Sequence, residues 1–225
     1  MSKDIRTKAF ILRRTNYGES DRILNLLTEN GMVSAIAKGV RKEKSKLAGG
    51  IELFCLSEIT YHEGKNNSLC TLTSAKMINY FDKIPIDLPK LELASLVLKQ
   101  VGRVAENFEG SEYFNLVWQM FSCINISNEL PLIEAWFWLN FSRIGGEQIN
   151  LYRDIEGNEL APDMTYIWDI SESALKPQIG GNIGANEIKL MRLMLSADLE
   201  TILRVEDVTP LVHSVLHIAK SVNKI

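Results

Sequence analysis

Nine residues, Lys38-Gly39-Val40-Arg41-Lys42-Glu43-Lys44-Ser45-Lys46, hold five cations. Flexible ammonium and guanidinium groups at that density suit one chemistry above others, the neutralisation of phosphates along a nucleic-acid backbone with release of condensed counterions. Arg13, Arg14 and Arg22 lie nearby in sequence, and the three glycines of residues 38–50 would let the segment conform to a strand. A solvated surface loop has the same composition, so the run needs a supporting fold before it reads as a site. Stacking platforms should accompany it. Phe10, Tyr17, Phe54 and Tyr61 are the candidates, although alternation assigns some of them to a core.

Searches for bond-making chemistry return little. His213 and His217 stand four apart on a helical stripe, but no Glu follows His213 in an H-E-x-x-H pattern and no third ligand accompanies them. Gly180-Gly181-Asn182-Ile183-Gly184 lacks both the Walker lysine and the dinucleotide spacing, and reads as a lead-in to a helix. Asp154, Glu156, Glu159 and Asp163 cluster without EF-hand spacing and read as solvated. No G-x-S-x-G is present, and none of Cys55, Cys70 and Cys123 sits in a nucleophile pattern. Trp136, Phe137, Trp138 and Phe141 read as core. The chemistry points away from an enzyme and toward binding, with no metal and no cofactor.

The elements that must position the basic run come from periodicity. Thr7, Ala9 and Ile11 alternate with Lys8, Phe10 and Leu12, a period of two that predicts a strand to about Arg14. Asn16-Tyr17-Gly18 supplies a turn, and Asn30-Gly31 between two apolar runs predicts a hairpin joining strands two and three. Lys38 to Gly50 is a loop, 51–62 and 69–78 resume strand character, and Asn66-Asn67 predicts a turn between them. Five short strands in about 80 residues predict a small barrel, and the five-stranded OB-fold is one such solution. After Pro85 and Pro89 the period changes. Ala94, Val97, Leu98, Val101, Ala105 and Phe108 form one helical face, 113–123 and 132–144 predict two more helices, and Gly145-Gly146 predicts a C-cap. Ile188, Met191, Leu195, Leu199 and Ile202 predict a further helix, and Thr209-Pro210 an N-cap and first turn of the last. Residues 151–180 read as an irregular insert or a small hairpin, with Gly157-Asn158 as the turn between Leu151-Tyr152 and Tyr166-Ile167-Trp168.

The 225 residues fit two domains, 1–80 and 84–225. No apolar stretch reaches the roughly 20 residues of a membrane span, and no secretory signal precedes the first strand. Three widely spaced cysteines fit reduced thiols in the cytoplasm. The net charge of −3 conceals an asymmetry: residues 1–50 hold 11 basic against 5 acidic residues, a net of +6, and the remainder is acidic. A basic front on an acidic body predicts a polyanionic partner.

The blocks Ile11-Leu12-Arg13-Arg14, Tyr17-Gly18-Glu19-Ser20-Asp21-Arg22-Ile23-Leu24, Leu27-Thr28 with Gly31, Lys38-Gly39-Val40-Arg41 and Lys44-Ser45-Lys46 resemble, in order and spacing, the bacterial RecO recombination mediators. That resemblance implies an α+β protein with an N-terminal OB-fold followed by an α-helical domain. It implies a nucleoid-associated, non-catalytic DNA-repair protein that binds single- and double-stranded DNA and anneals complementary strands. As partners it implies RecR, the acidic C-terminal tail of single-stranded DNA-binding protein and, indirectly, RecA. Many relatives carry a four-cysteine zinc module in the region of residues 145–180, which here contains no cysteine, so structural zinc is not expected. Arg103, Arg143, Lys189, Arg192 and Arg204 are the cations of the acidic body from which a pocket for the tail could be built. The expected phosphate contacts are Arg13, Arg14, Arg22, Lys38, Arg41, Lys42, Lys44 and Lys46. The alternative is a protein adapter whose basic loop binds an acidic protein partner. A metal-dependent nuclease would need clustered carboxylates beside the loop, which the sequence does not offer.

Overall fold

The computed structural model describes residues 4–63, 69–104, 109–147 and 149–223. The turn expected at Asn66-Asn67 and the stripe positions Ala105 and Phe108 lie outside the described residues. The chain divides into two compact units, 1–126 and 127–225.

In the first unit, β1 (Asp4–Tyr17), β2 (Asp21–Thr28), β3 (Gly31–Ala37), β4 (Cys55–His62) and β5 (Cys70–Tyr80) close into a barrel in the order β1-β2-β3-β5-β4. Neighbours are antiparallel except β3 and β5, which pair in parallel at Ala35–Cys70 and Ile36–Thr71. Closure removes the sheet edges that would otherwise template aggregation. Alternation supplies the inner face: Ala9, Ile11, Leu24, Leu26, Ala35, Ile59 and Leu72 fill the barrel. The hairpin at Gly31 is pinned by the Thr28 hydroxyl, which donates to the Gly31 carbonyl (2.7 Å) and accepts from the Asn30 N–H (3.2 Å).

The alternation breaks once inside β1. Ile11 pairs with Leu26 but Arg13 with Asn25, leaving Leu12 unpaired as a β-bulge. Uninterrupted alternation would put Arg13 on the inner face with Ala9 and Ile11. The extra residue reverses the phase, so Arg14 follows the inner face opposite Leu24 and Arg13 turns outward. On that outer face Phe10 packs against Phe81, Phe114 and Phe121, with ring centroids 5.1 to 6.5 Å apart, beneath α1 (Leu88–Val104) and α2 (Glu112–Ile126). The described part of the predicted stripe on α1, Ala94, Val97, Leu98 and Val101, is buried.

The second unit holds α3 (Leu130–Ile144), a hairpin of β6 (Tyr166–Asp169) and β7 (Ala174–Pro177), α4 (Ala185–Ser196), α5 (Leu199–Ile202) and α6 (Thr209–Val222). Trp136, Phe137 and Trp138 are core, as expected, and α3 ends at Gly145 with Gly146 carrying the left-handed turn (φ 84°). Asn140, buried on α3, donates to the carbonyls of Trp136 (3.0 Å) and Met194 (3.1 Å), and Asn223 donates to that of Trp138 (3.0 Å), tying α3 to α4 and to α6.

Four local expectations are corrected. The insert 151–180 is not irregular throughout, since β6 and β7 pair as an antiparallel hairpin that turns between Asp169 and Ala174 and not at Gly157-Asn158. The stripe from Ile188 to Ile202 is two helices: the backbone leaves the helix at Ala197, and Asp198 caps α5 by accepting from the Thr201 N–H (2.8 Å). Val208, not Thr209, occupies the N-cap position of α6, so Thr209 and Pro210 both lie in its first turn. Asp154 is not solvated. It is buried, and its Oδ1 accepts the N–H groups of Glu156 and Asn158 (2.9 Å each) around the predicted turn at Gly157. Gly181 serves packing, since a Cβ there would lie 2.4 Å from the Tyr166 carbonyl oxygen. Among the described residues no helix is long and apolar enough to cross a membrane, and no three His, Cys, Asp or Glu side chains are grouped to hold a metal ion.

Candidate nucleic-acid interface

The basic loop joins β3 to β4 and is built by its anchors. The Asp21 carboxylate accepts the Gly39 N–H (2.7 Å), the Arg41 N–H donates to the Ser20 carbonyl (2.8 Å), and the Arg41 guanidinium donates to the Gly18 carbonyl (3.2 Å). Val40 between them is buried. Gly39 takes φ 62°, a left-handed conformation that costs a side-chain-bearing residue about 1–2 kcal/mol. The segment then folds on itself through Lys42 N–H to Gly39 O (3.1 Å) and Ser45 N–H to Lys42 O (3.0 Å). These last two bonds use backbone groups alone, and of the five cations only Arg41 spends its side chain on an anchor among the described residues. Lys38, Arg41, Lys42, Lys44 and Lys46 are all exposed, and none forms an ion pair among the described residues.

Docking on the β1–β2 turn brings the loop to residues far from it in sequence. Tyr17 adjoins the Gly18 carbonyl that holds Arg41 and is 55% exposed. Arg22, one residue beyond Asp21, is half-buried, its Nε donating to the Asn16 side chain (3.2 Å). The two arginines of β1 part company at the bulge. Arg14 donates to Glu52 Oε2 (2.6 Å) and to the Ile51 carbonyl (3.4 Å), so a carboxylate already meets its charge. Arg13 is exposed and faces α1 across an open cleft of about 510 Å³, where Lys99 and Arg103 stand opposite it. The aromatic candidates divide the same way: Phe10, Phe54 and Tyr61 are core, and Tyr17 alone of the four is open to a ligand.

Sequence reasoning did not place Lys99 in a site. Its signal was available: 95, 99 and 102–103 share the helical face next to the buried stripe of α1, and that face borders the cleft. The cations considered for a tail pocket are divided between the two units, with Lys189 exposed on α4 of the second. Arg103 belongs to the first unit. In the second, Arg143 donates to Asn140 Oδ1 (3.0 Å), Arg204 pairs with Glu200, and Arg192 donates twice to the Leu151 carbonyl beneath the Tyr152 ring.

The titrating groups that move do so for local reasons. Burial raises the Cys55 thiol and the Tyr61 phenol and takes Tyr113 to about 12. At the barrel surface a hydrogen bond between Arg6 and Glu58 raises the guanidinium and lowers the carboxyl. A buried protonated thiol is a poor nucleophile, which leaves Cys55 a packing residue.

A closed five-stranded barrel in this order, with a cationic loop docked on its first turn, defines an OB-fold protein. The profile of the family described as "Recombination protein O N terminal" matches residues 1–81. A protein named DNA repair protein RecO from Dehalococcoides mccartyi strain 195 is 30% identical over 213 residues, covering 90% of this chain and 83% of its own. Proteins of the same name from Alkaliphilus metalliredigens (27% identical, 95% of this chain, 89% of the relative) and Heliobacterium modesticaldum (39%, 52% and 44%) are also similar. The chain belongs to the RecO family of DNA repair proteins, and its role is in DNA repair and recombination.

Proposed function

We propose that this chain is a non-catalytic recombination mediator that binds single- and double-stranded DNA through the docked basic loop and speeds the annealing of complementary strands. The observation that carries the reading is the loop itself: five exposed cations without ion pairs among the described residues, on a backbone held to the β1–β2 turn. Cations fixed on one surface screen the repulsion between two strands and let them approach to pairing distance, with no bond made or broken in the sugar-phosphate chain. Together with family membership this supports a cytoplasmic, nucleoid-associated role with RecR, the acidic tail of single-stranded DNA-binding protein and, indirectly, RecA as partners.

The test is fluorescence anisotropy with a labelled single strand at several salt concentrations. Replacing Arg41, Lys42 and Lys44 by alanine is expected to weaken binding across all sequences and to flatten the plot of log affinity against log salt by roughly 2 to 3 units. An unchanged slope would remove the loop from the interface. Weak, length-independent DNA binding beside tight capture of a protein would favour the adapter.

A further inference from the structure

We infer that a single strand does not end at the loop but runs along the outer face of the β1–β2 hairpin, over Tyr17, into the cleft where Arg13 meets Lys99 and Arg103 of α1. This inference rests on the DNA-binding reading above and extends its site to a helix outside the barrel.

The bulge at Leu12 is the first support. It reverses the phase of β1, so Arg13, Thr15 and Tyr17 share the outward face that leads from the cleft to the turn where Arg41 is docked. Four residues of strand cover about 13 Å, so Arg13 and Arg41 lie a few nucleotides apart on one surface. Without the bulge Arg13 would point into the barrel, and bulges recur where a side chain has to be re-aimed.

The cleft itself is the second. Lys99 and Arg103 are four apart on α1, one turn and about 6 Å along the axis, a separation comparable with that of successive phosphates in an extended strand. Lys99 and Arg13 have no hydrogen-bonded or ion-paired partner among the described residues, and Arg103 has only the neutral Gln100 side chain at 3.4 Å. Among the described residues no carboxylate lines the cleft, and the other polar side chains there are the amide of Asn25 and the hydroxyl of Ser95.

The apolar lining decides between two kinds of polyanion. Leu12, Phe54 and Leu98 are each less than a tenth exposed, and Leu53 is the one apolar side chain of the described lining that is partly open, a small area on which to bury an apolar side chain of an acidic peptide. The cleft's three exposed cations, with the Asn25 amide and the Ser95 hydroxyl beside them, fit a sugar-phosphate backbone. Tyr17, between the two cationic groups and 55% exposed, gives one base a stacking face.

The experiment uses the full chain and a labelled oligothymidylate of about 25 nucleotides, longer than the about 4–16 that one OB-fold covers. Lys99→Ala with Arg103→Ala is expected to flatten the salt slope by about 1.4, from about 0.7 per phosphate released on a single strand. The paired glutamine variant should do the same with an unchanged thermal midpoint. Tyr17→Leu is expected to weaken binding about tenfold while leaving the slope alone. A slope unaltered by both cleft variants, with the loop triple variant still flattening it, would overturn the track and leave the DNA-binding reading standing. So would an acidic peptide, Asp-Glu-rich with one Phe, whose binding the cleft variants abolish while the DNA slope stays put. No DNA binding by the parent chain at low salt would instead defeat the underlying reading.

Discussion

Arg13 and Arg14 are adjacent and chemically identical, yet the structure gives them different work. Arg14 is half-buried and bonded to Glu52 and the Ile51 carbonyl, which ties β1 to the segment before β4. Arg13 faces solvent with no such bond among the described residues. Substitution should therefore separate stability from binding. Arg14→Ala is expected to lower unfolding free energy in urea by about 1 kcal/mol, the net worth of a charge-assisted hydrogen bond in a partly exposed site. Arg13→Ala is expected to leave stability within about 0.5 kcal/mol and to flatten the single-strand salt slope by about 0.7. The reverse pattern would mean that the bulge does not set the phase of β1 in solution.

At the level of elements, the loop and the barrel are joined through Gly50, whose backbone lies against Ala75 of β5. A Cβ there would sit 2.4 Å from the Ala75 carbonyl carbon and oxygen, atoms that cannot move without breaking the sheet. Gly50→Ala is expected to cost about 1–3 kcal/mol in chemical denaturation, whereas Gly49→Ala, with open space around it, should be near neutral. A second element carries a pH signature. The Asp198 carboxyl is held below its ordinary pKa by its hydrogen bonds from the Thr201 hydroxyl and N–H at the start of α5. Its contribution to stability is thus complete above the unfolded value near 3.9 and fades as pH falls through the lowered folded value. Asp198→Asn should lose that acid-limb dependence in thermal melts between about pH 5 and 2. The strands of the barrel were legible because alternation and the Asn-Gly turn are local signals. The bulge was not, because it depends on which partner residue Arg13 meets across β2. The break at Ala197 was hidden for a similar reason: Leu199 and Ile202 keep the apolar stripe in phase although the backbone between them and Leu195 is no longer helical. The loop was legible as charge but not as geometry, since its anchors at Gly18, Ser20 and Asp21 come from the other end of a hairpin.

For the whole molecule, the change of period after residue 80 marks where strands stop, whereas the contacts group residues 1–126. The difference is the outer face of β1. Phe10 is fully buried, and the rings that bury it are Phe81, Phe114 and Phe121, two of which belong to α2. A barrel cut at residue 80 would expose Phe10 and leave Phe54 without Phe121, its ring partner at 5.8 Å. Full burial of each such ring is worth about 1.5–3 kcal/mol, a large share of the 5–15 kcal/mol that holds an ordinary domain together. The fragment 1–126 is therefore expected to unfold in one cooperative transition and the fragment 1–80 to melt at least about 10 °C lower or not to fold. Because the loop, Tyr17, Arg13, Lys99 and Arg103 all lie within 1–126, that fragment should also keep the single-strand salt slope of the full chain. A fragment that folds but loses most of the slope would move the principal phosphate contacts to the second unit.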